Sequence, residues 1–251
     1  MTAGVGAEAT RFVIVTAGRT GSTRLRLLLD SHPRIRCHGE LFGANLTTLA
    51  AAGSPAHDGM VAERESDPVA FLRRRAFEPA GAAAVGLKIL YRQLMGQWPG
   101  LLDHLQADST IKIIHLVRRN GVKRFLSEYY VGTVTQRNLF SAAEALPPIR
   151  PVVVPVPALL ERLVAVEQES AHFRRLLGAH PLHEVAYEDS LDDNGPAMQR
   201  VLAFLGVAQA CLSADIRKIL PDDLGRLIAN YEEVAAALRG TPFASMLTPP
   251  P

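Results

Sequence analysis

Cysteine is scarce in this chain of 251 residues: Cys37 and Cys211 lie far apart and in no C-x-x-C arrangement. That excludes a disulfide framework and a cysteine-built zinc site, so no metal is expected and a reduced, cytoplasmic setting is the default. Charge of one sign is missing too. The net charge is +2 and the isoelectric point about 8.7, below the strongly basic range of nucleic-acid binders, so no nucleic-acid partner is expected. No apolar run reaches membrane-spanning length, and Met1 to Thr10 lack the basic start and apolar core of a signal peptide. Contact with a membrane surface is left open. No internal repeat is visible. With 48% hydrophobic residues the chain can bury a large core, and one domain is expected over 11–247 with flexible ends at 1–10 and 248–251.

What is present is an alternation of strand-like and helix-like segments. Strands are expected at Arg11–Thr16, Ile35–His38, Ala84–Leu90, Ile111–Val117 and His183–Tyr187. Helices are expected at Ser22–Ser31, after Asn120, and at Leu159–Leu177, Pro196–Leu205 and Leu224–Leu238. Such alternation is the signature of a parallel sheet covered on both faces, an α/β fold with its ligand at the carboxyl ends of the strands. Residues 46–81 and the proline-rich 132–157 break the pattern and are candidate lids.

The first strand runs into Thr16-Ala17-Gly18-Arg19-Thr20-Gly21-Ser22-Thr23-Arg24 and then into the first helix. Gly18 and Gly21 permit a tight turn that brings backbone N–H groups close to an anion, and the helix N-terminus points its unpaired donors at the same place. Arg19, Ser22 and Thr23 add a cation and hydroxyls. The loop lacks the lysine of a nucleoside-triphosphate P-loop: Thr16 stands where that motif has its first glycine and Ser22 where it has its lysine. Its anion is therefore expected to be other than a triphosphate carried with Mg²⁺.

A second basic cluster follows the strand at Ile111–Val117. Val122, Phe125, Leu126 and Tyr129 mark an amphipathic helix whose other face carries Lys123, Arg124 and Ser127, with Arg118 and Arg119 at its entrance. Taken alone, this is better explained by a solvated basic helix face.

Together the two segments resemble the sulfotransferases that use 3′-phosphoadenosine 5′-phosphosulfate (PAPS). Arg19-Thr20-Gly21-Ser22-Thr23 is similar to the R/K-[ST]-G-[ST]-[ST] loop that holds the 5′-phosphosulfate there, and Arg119 and Ser127 stand at the two places that hold the 3′-phosphate. The resemblance is to the bacterial and carbohydrate branches. It implies a P-loop-like parallel β-sheet flanked by helices, PAPS as co-substrate, and a hydroxyl acceptor on a small molecule, glycan or lipid. It also implies a role for Glu40, in His38-Gly39-Glu40-Leu41-Phe42, which matches a glutamate lining the acceptor site; Glu40 is the expected general base, with His38 as alternative or orienting group. Arg19 stands where the cytosolic branch has a lysine, and as a permanent cation it is expected to stabilise the leaving phosphate. Lys88 faces either the ligand or solvent from a sheet edge. Arg24 replaces the large apolar residue usual after the loop, and the glycine-rich C-terminal motif of the cytosolic branch has no match. Tyr187-Glu188-Asp189 and Asn230-Tyr231-Glu232-Glu233 are expected to be mainly structural. A nucleotide-dependent kinase and a non-catalytic PAPS-binding protein stay open as alternatives, as do the acceptor and the oligomeric state.

Overall fold

The computed structural model describes residues 8–43, 46, 49–50, 52–98, 100–136, 141 and 143–247. Of the expected flexible ends, 1–7 and 248–251 lie outside the described residues, while Thr10 already begins the first strand. Residues 137–140 and 142 of the second irregular segment also lie outside them.

In chain order the elements are β1 (Thr10–Thr16), α1 (Ser22–Asp30) and β2 (Ile35–His38), then α2 (Pro55–Ser66), α3 (Pro68–Phe71) and β3 (Ala84–Leu90). They continue with α4 (Leu101–Ala107), β4 (Lys112–Val117), α5 (Gly121–Tyr130) and α6 (Val156–Leu176), and end with β5 (Leu182–Ala186), α7 (Pro196–Leu205) and α8 (Tyr231–Leu238). The five strands form one parallel sheet in the order β2-β3-β1-β4-β5. Both faces are covered, which is why β1 is apolar from Phe12 to Val15 and β3 is apolar apart from Lys88. Val13, Val15, Leu87 and Ile113 face Phe42, Phe71 and Phe173 on one side. Phe12, Ile14, Ile114 and Leu116 face Leu25, Leu28 and Leu202 on the other. Each such side chain removed from water contributes roughly 1.5–3 kcal/mol. A third cluster joins α5, α6 and α8 through Val122, Phe125, Leu159, Leu163 and Val234, so the apolar stripe of α5 is buried and its polar face is free to address the sheet's carboxyl end.

The connection from β3 to β4 passes from one side of β1 to the other, so the chain reverses direction across the sheet at β1, where α/β sheets open a ligand crevice. Two expectations change. The helix expected over Leu224–Leu238 is broken: a 3₁₀ turn at Leu224–Arg226 gives way to extended backbone, in which Ala229 N donates to Val152 O (2.9 Å) and Leu227 O accepts from Val152 N (2.9 Å), before α8 begins. Hydrogen bonding with the proline-rich strand has outcompeted local helix. The described residues of 46–81, which exclude 47, 48 and 51, also hold more order than their composition suggests. Ser54 caps α2 by accepting from His57 N (3.1 Å), Asp67 caps α3 by accepting from Ala70 N (2.9 Å), and Phe71 and Leu72 sit in the core.

Candidate active site

The loop after β1 is fastened to β4 by threonines. Thr16 donates to the Leu116 carbonyl (2.6 Å) and lies 2.6 Å from the Thr20 hydroxyl. Thr20 is therefore buried and spent on the loop itself rather than facing the crevice. Of the two glycines expected to turn the loop, Gly21 takes the left-handed conformation (φ 81°), and Arg19 (φ 64°) takes it beside Gly18. At Gly21 the glycine is also sterically required, since a Cβ would lie 2.3 Å from Tyr187 Cδ2. At Arg19 the conformation costs roughly 1–2 kcal/mol, offset by what the backbone and side chain gain. Arg124 donates to Gly18 O (2.8 Å), Arg118 donates to Arg19 O (3.2 Å), and Arg19 itself donates to Ser127 Oγ from Nε (3.1 Å) and Nη2 (3.0 Å). With these two carbonyls committed to guanidinium groups, the loop turns its acceptors away and leaves an electropositive surface. The first N–H groups of α1 have no intrahelical acceptor and add to it.

Gly18, Arg19, Gly21, Ser22 and Thr23 line a cleft of about 610 Å³, and Ser127 lines it from α5. The two segments expected to bind anions thus meet in one space. Burial holds Arg118 and Arg19 below the ordinary guanidinium value, with Arg118 adding repulsion at Arg19, and burial followed by Arg162 pushes Arg124 down to about 10. All three stay cationic at neutral pH. Arg118 stacks 4.7 Å from the Tyr187 ring centroid and keeps a buried Nε without a hydrogen-bond partner among the described residues. Such a cluster is suited to an anion, whose approach would relieve both the desolvation and the mutual repulsion.

Of the adjacent arginines, it is Arg118 that lines the cleft. Arg119, expected there, is exposed and forks onto Asp189 (2.8 and 2.5 Å), while Glu188 accepts from the backbone N–H groups of Arg119 (3.1 Å) and Asn120 (3.0 Å). Tyr187-Glu188-Asp189 is in this sense structural, as expected. Arg24 acts similarly, joining α1 to the segment before α7 through Leu191 O (2.7 Å), Ser190 O and Asp193. Lys123 lines the cleft and meets Asp222 (2.9 Å), which also accepts from Lys218 (2.5 Å); these contacts hold the irregular segment 216–221 against the cleft as a wall. Nothing in the local composition of that segment marked it beforehand.

Across the cleft stands Glu40. Its carboxylate meets Lys88 Nζ (2.9 Å), Arg92 (3.8 Å) and Gln93 Nε2 (3.4 Å). Lys88 also donates to Thr23 Oγ1 (3.1 Å), so one buried ammonium ties the carboxylate to α1. β3 lies between β2 and β1, which places Lys88 inside the cleft rather than on a sheet edge. His38 is not brought there. β2 ends at His38, and the chain turns at once, with Leu41 N donating to Gly39 O (3.0 Å), so the two-residue alternation that would align His38 with Glu40 stops. Burial pushes His38 down to about 4, which leaves it neutral at physiological pH.

A parallel α/β sheet with a basic, glycine-turned loop facing a carboxylate across one cleft is the arrangement set beside known proteins. Residues 11–109 match the sulfotransferase family profile. The chain is 27% identical over 236 residues to nodulation protein H of Rhizobium meliloti (strain 1021), covering 93% of both chains. It is 28% identical over 237 residues to nodulation protein H of Rhizobium tropici, covering 93% of this chain and 91% of that one. A crystal structure of a sulfotransferase from Alicyclobacillus acidocaldarius shares the fold over 95% of this chain and 94% of its own, with a TM-score of 0.52 and 20% identity. Over residues 11–109 the chain is thus similar to the sulfotransferase family, and it shares the fold of a bacterial sulfotransferase.

Proposed function

We propose that the protein transfers a sulfuryl group from PAPS to a hydroxyl of a small-molecule, carbohydrate or lipid-linked acceptor. The observation that carries this is the single cleft in which Arg19 meets Ser127 on one wall while Lys88 holds Glu40 opposite. The loop backbone at Gly18 and Gly21, with Ser22 and Thr23, receives the 5′-phosphosulfate. Thr20 contributes only its main chain. Arg118, Lys123 and Ser127 receive the 3′-phosphate, in place of the outward-facing Arg119. Arg19 neutralises the oxygen that gains charge as the sulfur–oxygen bond breaks, and as an arginine it does so without delivering a proton. Glu40 takes the proton from the attacking hydroxyl. Lys88, touching both Glu40 and Thr23, aligns the base with the loop so that hydroxyl, sulfur and leaving phosphate fall in line. No helix among the described residues is long and apolar enough to cross a membrane, and no metal-binding cluster is present among them.

The test has two parts. Adenosine 3′,5′-bisphosphate (PAP) should raise the melting temperature more than ATP with Mg²⁺ does, since selective binding to the folded state stabilises it. Labelled sulfate from PAPS should pass to one or more members of a panel of hydroxyl compounds, and Glu40→Gln should lower kcat by about 100-fold or more while leaving PAP affinity intact. Full kcat in Glu40→Gln removes it as base; stronger stabilisation by ATP with Mg²⁺ removes the whole assignment.

A further inference from the structure

The short segment that carries Glu40 is held from behind by residues that do not enter the cleft. After Glu40 the chain exposes the carbonyls of Leu41, Phe42 and Gly43 on its buried side, and all three are taken up by side chains from elsewhere. Arg64, on α2, donates from Nη1 to Leu41 O (2.8 Å) and to Gly43 O (2.8 Å). Trp98 donates from Nε1 to Phe42 O (2.7 Å). The two holding groups are themselves joined, with the Arg64 guanidinium 4.7 Å from the Trp98 ring centroid and that ring edge-on to Phe42 at 5.6 Å. Gly43 N donates back to Glu40 O (2.8 Å), so the gripped segment closes on the residue it presents.

Arg64 is 5% exposed, and burial holds it below the ordinary guanidinium value. Its nearest carboxylate, Glu65, is 3.6 Å from Nη2 and exposed. Burying a cation is costly, and tethering α2 would need only an apolar residue. Both carbonyls are met by the two N–H groups of one Nη1 while the planar guanidinium lies over the Trp98 ring, a combination that arginine supplies and lysine does not.

We propose that Arg64 is a positioning residue for Glu40: it locks the Glu40–Gly43 turn so that the carboxylate meets Lys88 and the acceptor. This deepens the function proposed above, since it rests on Glu40 acting as base. Displacement of a reacting group by about 1 Å is enough to lower the rate on the order of 100-fold. In Arg64→Met, which keeps the apolar stem, kcat should fall by that order while the Kd for PAP changes by less than about twofold. Arg64→Lys should recover only part of the loss.

A second readout does not require turnover. Lys88, whose side chain is 6% exposed beside Glu40, should become more reactive toward an N-hydroxysuccinimide acetate pulse in Arg64→Met, as measured by peptide mass spectrometry. The remaining lysines of the folded variant should label as before. If Arg64→Met does not fold, Trp98→Phe, which removes one of the three donors and keeps the ring, is read by the same two measurements. Unchanged kcat with unchanged Lys88 labelling overturns the proposal, and so does a loss of PAP affinity in step with kcat, which would mark a general collapse of the cleft. If the wild-type protein transfers nothing from PAPS, the functional reading fails, and Lys88 labelling alone decides the positioning role.

Discussion

Arg118→Met and Arg119→Ala alter neighbouring residues and should have opposite consequences. Arg118 lines the cleft, is held in place by Tyr187 (4.7 Å) and Arg19 O (3.2 Å), and keeps Nε without a protein partner among the described residues. A charge-assisted hydrogen bond to a phosphate contributes roughly 1.5–3 kcal/mol, which corresponds to about 10-fold to 150-fold in Kd. Methionine preserves most of the stem packed on Tyr187, so the change isolates the charge. Arg119, by contrast, has a side chain 59% exposed against an Asp189 that is 46% exposed. Such a pair is worth about 0–1 kcal/mol of stability, and its loss should change PAP affinity by no more than about twofold. Isothermal titration with PAP at one fixed salt concentration measures both, with melting curves confirming that each variant is folded. Tenfold weaker binding in Arg119→Ala, beside wild-type affinity in Arg118→Met, would refute the placement of the 3′-phosphate at Arg118.

Gly21→Ala meets the Tyr187 ring at 2.3 and 2.5 Å and a φ of +81°. The backbone alone should cost roughly 1–2 kcal/mol, and at about 2–4 °C per kcal/mol for a chain this long a wild-type melting temperature would contradict the packing described. His38 makes stability depend on pH. Because burial depresses it to about 4, the unfolded chain binds a proton between the ordinary histidine range and pH 4 that the folded chain does not. Its contribution is whole above about 6.5 and is lost as pH falls toward 4, by up to roughly 3 kcal/mol. Urea midpoints at pH 7 and pH 4.5 should therefore lie closer together in His38→Asn than in the wild type, and equal spacing would show that His38 is not the titrating group.

Much of the framework follows from local pattern. Phe12 to Val15 and, apart from Lys88, Val85 to Leu90 are apolar because both sheet faces are covered, and the loop declares itself through Gly21 and its hydroxyl neighbours. Contacts between distant segments are what local pattern does not carry. Strand order is one: only the placement of β3 beside β1 turns Lys88 from a surface candidate into a cleft residue. The choice between Arg118 and Arg119 is another, because it depends on Glu188 and Asp189, some 70 positions away, drawing the second arginine outward. The alignment of His38 with Glu40 fails through a single turn at Gly39–Leu41 that ends the strand period. Arg64 gives no local sign at all, since the carbonyls it serves lie more than 20 residues upstream.

The order β2-β3-β1-β4-β5 has a consequence for diversification. The exits of β1 and β4 build the wall that carries Arg19, Arg118 and Ser127, whereas the exits of β2 and β3 build the wall that carries Glu40 and Arg92. These walls are encoded in separate stretches of the gene and are stitched mainly at Lys88 and Thr23. Exchange of the β2-to-β3 stretch between relatives is therefore a route to an altered Glu40 wall that leaves the Arg19–Ser127 wall untouched, provided the lysine at the seam travels with it.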